Sequence, residues 1–151
     1  KSMVGQPDKI NDLIRRMKER GHRLTPQRLA VLKILMVSNE HLSADQIHQR
    51  VLQDFPMTSL ATVYKTVNLL KDMGELLELE FGSHSSRYDG SRPYPHPHLV
   101  CVSCQAILDP LIDSVHAIAE QAAMMYDYKM VGHRLDIFGI CPNCQEQASR
   151  S

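Results

Sequence analysis

No apolar run in this chain approaches the length needed to cross a bilayer, and nothing at its start resembles an apolar export segment. A membrane span and an oxidising, secreted setting are therefore not expected; a cytoplasmic location is. No internal repeat or low-complexity stretch is present, which sets aside repeat architectures and biased tails. Net charge is missing too. The 17 Lys and Arg balance 17 Asp and Glu, so total charge points to no class of partner. A glycine loop for a cofactor phosphate and an organised nucleophile with its base are both lacking. Both absences weigh against a catalytic role. Cysteine is scarce: the chain has four, and none lies outside two tight pairs.

Those pairs are Cys101-Val102-Ser103-Cys104 and Cys141-Pro142-Asn143-Cys144. Four soft thiolates spaced this way suit a structural zinc ion, tetrahedral and closed to water. Disulfides are the competing possibility; a cytosolic chain keeps its thiols reduced, which favours zinc. Thirty-six residues separate Cys104 from Cys141, room for a helix and strands. The metal is thus expected to tie the end of a small domain to its beginning. A different donor set flanks the first pair, with His96-Pro97-His98 before it and Asp109 five residues after it. Imidazole and carboxylate suit exchangeable ions such as Fe(II), Mn(II) or Zn(II). Two histidines and a carboxylate also make a non-haem iron oxygenase site, so a metalloenzyme is the distant alternative.

A chain of 151 residues can form one domain or two small ones. The glycine and prolines of Gly90-Ser91-Arg92-Pro93-Tyr94-Pro95 interrupt any regular element. They divide an N-terminal domain, residues 1–90, from a C-terminal one, residues 91–151. Neither has room for a large core, so a zinc staple and dimerisation are expected supports. Charge is uneven across the boundary. Residues 1–33 hold nine Lys or Arg against three acids, whereas acids outnumber bases after residue 90. A basic front fits nucleic acid, and equally a solvated helix face.

The first half reads as helices followed by a hairpin. Ile10, Leu13, Ile14 and Met17 recur at helical spacing, and Gly21 closes that helix. Thr25-Pro26 pairs a capping hydroxyl with proline at the first helical position, and Val31, Ile34 and Leu35 face inward. Ser43 and Gln46 form a capping box for a third helix carrying Ile47 and Val51, which Phe55-Pro56 ends. A fourth helix runs from about Ser59 to Met73, stopped by Gly74. Its inward stripe is Leu60, Val63, Val67 and Leu70, which leaves Ala61, Tyr64, Lys65 and Asn68 outward. Those residue types can touch base edges and phosphates, and Arg23 is placed to reach the backbone or minor groove. Leu77–Phe81 alternates as a strand, Gly82-Ser83-His84-Ser85 turns it, and Ser86–Asp89 returns. The whole predicts a winged helix-turn-helix. In the second half, a helix through Ile112, Val115, Ala119 and Ala122 is expected to cover strands near Leu99–Cys101, Ile107–Asp109 and Tyr128–Ile140. An open edge of that sheet invites pairing across a dimer axis.

Arg23-Leu24-Thr25-Pro26-Gln27-Arg28, Ala61-Thr62-Val63-Tyr64, His96-x-His98 before Cys101-x-x-Cys104, and His133-Arg134-Leu135-Asp136-Ile137-Phe138-Gly139 before Cys141 resemble the ferric uptake regulator superfamily. The likeness runs from about Asn11 to Cys144. It implies a homodimeric, metal-dependent repressor that binds an inverted repeat in double-stranded operator DNA and no membrane. The implied fold class is α+β, an N-terminal winged helix followed by a small α/β dimerisation domain. The implied cofactors are structural zinc on the four cysteines and exchangeable Fe(II) or Mn(II) on His41, Asp89, His96, His98 and Asp109. An ion held by all five would fix the angle between domains.

Aspartates at 89 and 109 resemble the peroxide-sensing branch, PerR, where iron sensors more usually carry glutamates. A second exchangeable site of many family members is not expected, because Pro95 and Pro97 stand at its positions and cannot ligate. His133 is read as a packing histidine on a strand with Val131, Leu135 and Ile137, and Met124-Met125 as packing. His22, His48, His84 and His116 are read as surface residues. By the same resemblance, His41 and His96 are the oxidation-sensitive residues. Iron-responsive or zinc-responsive repression on this scaffold is the closer alternative.

Overall fold

The computed structural model describes residues 6–38, 40–81, 85–90 and 95–150, with side chains from residue 9 onward. It forms two compact units, Lys1–Pro93 and Tyr94–Ser151. The expected turn at Gly82-Ser83-His84 and the boundary residues Ser91-Arg92-Pro93-Tyr94 lie outside the described residues.

In the first unit, α1 (Gln6–Glu19) turns Ile10, Leu13 and Met17 into the core. The chain then reverses through Gly21, whose φ of 78° suits a residue without a side chain. α2 (Pro26–Val37) begins where the Thr25 hydroxyl accepts the Arg28 N–H at 3.2 Å. Its buried residues are Val31, Leu32 and Leu35, while Ile34 is only partly buried. β1 (Leu42–Ser43) leads directly into α3 (Ala44–Leu52), whose capping box of Ser43 and Gln46 is complete in both directions. α4 (Leu60–Asp72) is capped by Ser59 and buries Val63, Thr66, Val67 and Leu70. Thr66 is tolerated there because its hydroxyl donates to the Thr62 carbonyl at 3.0 Å. β2 (Leu77–Leu79) and β3 (Arg87–Asp89) form the wing, shorter than the alternating run suggests. β1 adds a third strand, in the order β1-β3-β2. This is a winged helix.

In the second unit, β4 (His98–Cys101) is the central strand, between antiparallel β5 (Ile107–Leu108) and parallel β6 (Asp136–Gly139). α5 (Val115–Met125) lies between β5 and β6 in sequence, and α6 (Pro142–Ser149) follows the second cysteine pair. Four expectations need correction. The strand expected over Tyr128–Ile140 is only Asp136–Gly139, because four-residue β4 offers no longer ladder to pair with. His133 therefore lies outside a strand, half-buried, its Nε2 3.2 Å from His116 Nδ1, while His116 Nε2 faces a Glu120 oxygen at 3.1 Å. α5 buries no residue, so it does not cover a sheet as expected. Ile112, Ile118, Met124 and Met125 are exposed, the two methionines by 76% and 67%, so they are not the packed residues expected.

Candidate metal centres and nucleic-acid interface

The four cysteines come from the end of β4, the turn after it, and the start of α6. They are free thiols. Cys101 and Cys144 Sγ lie 3.8 Å apart, as do Cys104 and Cys141 Sγ, and all four sulfurs fall within 4.8 Å of one another. A tetrahedron with Zn–S bonds of about 2.3 Å has edges of about 3.8 Å, whereas a disulfide needs about 2.05 Å. The backbone agrees. Cys101 Sγ accepts the N–H of Cys104 at 3.5 Å and of Cys141 at 3.4 Å. Those two donors bring its thiol down to about 6, while the crowded neighbouring thiols push Cys144 up to about 12, so a cation among the four is needed to make all of them thiolates. The residues present fit structural zinc.

The second donor set is built by strand register. In the first unit, β1 and β3 pair Leu42 with Tyr88. One step further puts His41 opposite Asp89, Nε2 to Oδ2 3.4 Å, both side chains buried. Arg87 holds the His41 carbonyl at 3.0 Å. Gly90 closes this end, since a Cβ there would meet the Leu35 carbonyl oxygen at 2.9 Å. In the second unit, Leu99 pairs with Leu108, so the next step faces His98 with Asp109. His96 Nε2 lies 3.1 Å from His98 Nε2 and 3.4 Å from Asp109 Oδ2, and His98 Nε2 lies 3.7 Å from Asp109 Oδ1. Nitrogens about 3 Å apart match neighbouring corners of a shell with bonds of about 2.1 Å. Burial holds the His98 imidazole below its ordinary value, against the opposing pull of Asp136, which keeps it neutral and able to ligate. These histidines and aspartates offer nitrogen and oxygen and no sulfur, the donor chemistry of Fe(II) or Mn(II) rather than of a thiophilic ion.

One residue of consequence was missed by sequence reasoning. Asp136 Oδ1 lies 3.1 Å from His98 Nδ1, and its other oxygen accepts from Arg134 Nε. In the sequence it stood inside the motif His133–Gly139 with no role assigned to it. His48 also differs from its expected surface role: half-buried, its Nε2 meets the Thr58 carbonyl at 2.7 Å.

On α4, Ala61, Tyr64, Lys65 and Asn68 are all exposed. Arg23, Arg28 and Lys65 line one open cavity of about 360 Å³ with Ser59 and Thr62. The Arg28 guanidinium is tied back to the Arg23 carbonyl at 2.7 Å.

The sequence matches the model of the ferric uptake regulator family over residues 19–138. The peroxide-responsive repressor PerR of Staphylococcus saprophyticus is 38% identical over 141 residues, covering 91% of this chain and 93% of that one. The Helicobacter pylori ferric uptake regulator Fur, whose structure reveals three functional metal binding sites, superposes with a TM-score of 0.83. Its identity is 25%, over 96% of this chain and 97% of the other. PerR of Streptococcus pyogenes, solved for its peroxide sensing and gene regulation, is 33% identical over 90% and 92% of the two chains, with a TM-score of 0.52.

Proposed function

The chain belongs to the ferric uptake regulator family, and from that premise we propose that it is a metal-dependent transcriptional repressor of the peroxide-responsive type. The observation that carries this reading is the donor set. Histidines and aspartates stand in two buried groups, His41 with Asp89 and His96 with His98 and Asp109, separate from the four thiols. In this reading the thiols hold structural zinc. The other five residues take one exchangeable Fe(II) or Mn(II), and the ion favours the arrangement of the two units that binds DNA. The protein acts by binding rather than by turnover.

The first unit is the DNA-binding domain. α4 enters the major groove of an inverted repeat, with Tyr64 and Asn68 toward base edges. Ala61 leaves room for close approach, and Lys65 and Arg23 hold phosphates. The second unit makes the homodimer. Supporting that role are the exposed Ile118, Tyr126, Tyr128 and Val131, the edge strand β6 with Ile137 and Phe138 exposed, and an apolar hollow of about 640 Å³ beside α5. No helix among the described residues is long and apolar enough to cross a membrane.

Iron(II), held by His41, Asp89, His96, His98 and Asp109, would supply one-electron chemistry that activates hydrogen peroxide; over the whole reaction the imidazole gives up the two electrons and the iron gives none. The chain contributes the target: a ring carbon of His41 or His96 gains one peroxide oxygen, and the other oxygen leaves as water. The oxidised ring is a poorer nitrogen donor, so the hold on the two units is lost. Operator binding titrated with Mn(II), Fe(II) and Zn(II) tests the reading. Binding that rises with Mn(II) or Fe(II), without small-molecule turnover, supports it; DNA binding indifferent to all three metals sinks it.

A further inference from the structure

The geometry points to Asp136 as the positioning carboxylate of the exchangeable metal site, a residue that touches no metal and sets which nitrogen of His98 can bind one. This rests on the reading of His98 as a ligand. His98 stands on the central strand between two acids fixed by register: Asp109 one step past the β4–β5 pairing, and Asp136 directly opposite it on β6. The two acids address different ring nitrogens. Asp136 Oδ1 is 3.1 Å from Nδ1, whereas Asp109 Oδ1 is 3.7 Å from Nε2.

A carboxylate only accepts hydrogen bonds, so a neutral imidazole facing Asp136 must carry its proton on Nδ1. The lone pair then resides on Nε2, the nitrogen turned toward His96 Nε2. With the opposite tautomer, Nε2 would carry hydrogen and could not ligate. Asp136 is itself held. Its second oxygen accepts from Arg134 Nε, and the His98 N–H donates to the Leu135 carbonyl at 3.1 Å, so backbone and side chain both lock the pair in register. The same ladder ends at Cys101 opposite Gly139, and Val102 N–H reaches the Gly139 carbonyl at 2.9 Å. The thiol site therefore anchors the strand that carries Asp136, which gives the structural zinc an indirect hold on the affinity of the other site.

An acceptor behind a ligating histidine fixes the ring and raises its basicity, and its loss typically costs about 10–100-fold in metal affinity. The test is calorimetric titration of the zinc-loaded full chain with Mn(II), in wild type, Asp136→Ala and Asp136→Asn, together with the ¹⁵N spectrum of the metal-free histidines. Asp136→Ala should bind Mn(II) about 10–100-fold more weakly, and the His98 signals should show loss of the Nδ1–H tautomer. Asp136→Asn still offers an oxygen to Nδ1–H and should fall between the two, with the tautomer kept. Should Asp136→Ala lose its zinc, the asparagine variant alone decides, and Mn(II) affinity equal to wild type overturns the inference. So does an alanine variant that binds Mn(II) normally or keeps its tautomer. A wild-type chain that binds no Mn(II) brings down the functional reading and this inference together, so the two failures are distinguishable.

Discussion

Removing the thiol site should unmake the second unit and leave the first standing. The described residues of the second unit bury only two hydrophobic side chains, Val100 and Cys101. A fully buried valine contributes about 1.5–3 kcal/mol. Zinc on four thiolates contributes roughly 10–16 kcal/mol in small metal-dependent domains, so the metal outweighs that core severalfold. The first unit draws on a larger cluster that includes Leu13, Met17, Leu32, Ile47, Val67 and Leu70, and it contains no cysteine. Cys141→Ser removes one of the four ligands, while the backbone N–H at that position, which donates to Cys101 Sγ, is kept, so the variant tests the metal and not the strand's hydrogen bond. The variant should lose zinc by elemental analysis and dimer mass by light scattering. Hydrogen exchange should speed up at the His98 and Val102 amides, which bond to Leu135 and Gly139. Amides of α2 and α4 should keep their protection. A zinc-free Cys141→Ser protein that stays dimeric, with His98 and Val102 still protected, would refute the claim that zinc is this unit's core.

Other consequences are open to direct measurement. Tyr64→Ala should relax sequence preference in footprinting, at about 1–3 kcal/mol for the affected base pair; unchanged affinity and specificity would mean that the wrong face of α4 was chosen. Arg23→Gln or Lys65→Gln should lower the slope of log affinity against log salt by about 0.9 for each phosphate no longer neutralised. By linkage, operator DNA should tighten Mn(II) binding by the factor with which Mn(II) tightens DNA binding, and His41→Ala or Asp89→Ala should abolish both effects while leaving zinc in place. Calorimetry with and without DNA makes that comparison, and equal metal affinities would remove the coupling. Ser43→Ala strips one side of the capping box and should cost about 1 kcal/mol of stability in denaturant titration.

Much of the first unit could be read before folding because its signals are local. Thr25, Ser43 and Ser59 cap the helices they precede, and Gly21 and Gly74 take the positive φ that ends two of them. The stripe Val63, Val67 and Leu70 is buried as its spacing requires. β1 escaped notice because a two-residue strand has no period; only its pairing with β3 reveals it. In the second unit, local pattern misled. Val131, His133 and Leu135 alternate as a strand would, yet the parallel ladder starts only at His98 opposite Asp136, with one further bond from the His98 N–H to the Leu135 carbonyl. α5 has a helix pattern with an apolar side, but Val115 and Ala119 are only half-buried and Ile118, Met124 and Met125 are exposed within this chain, so pattern alone overstated its burial. The thiol site was legible from spacing because Cys-x-x-Cys is itself a short loop around an ion. Asp136 was not, since its role depends on standing opposite His98 across a parallel ladder.

The most direct test of peroxide-responsive repression is operator binding by the iron-loaded and manganese-loaded protein, before and after mild hydrogen peroxide, with peptide mass spectrometry on the same samples. The account predicts that both forms bind at first. The iron form should then release its operator as His41 or His96 gains the mass of one oxygen, and the manganese form should stay bound and unmodified. An iron-loaded protein that remains on its operator with both histidines intact would contradict it and favour a repressor that responds to iron itself.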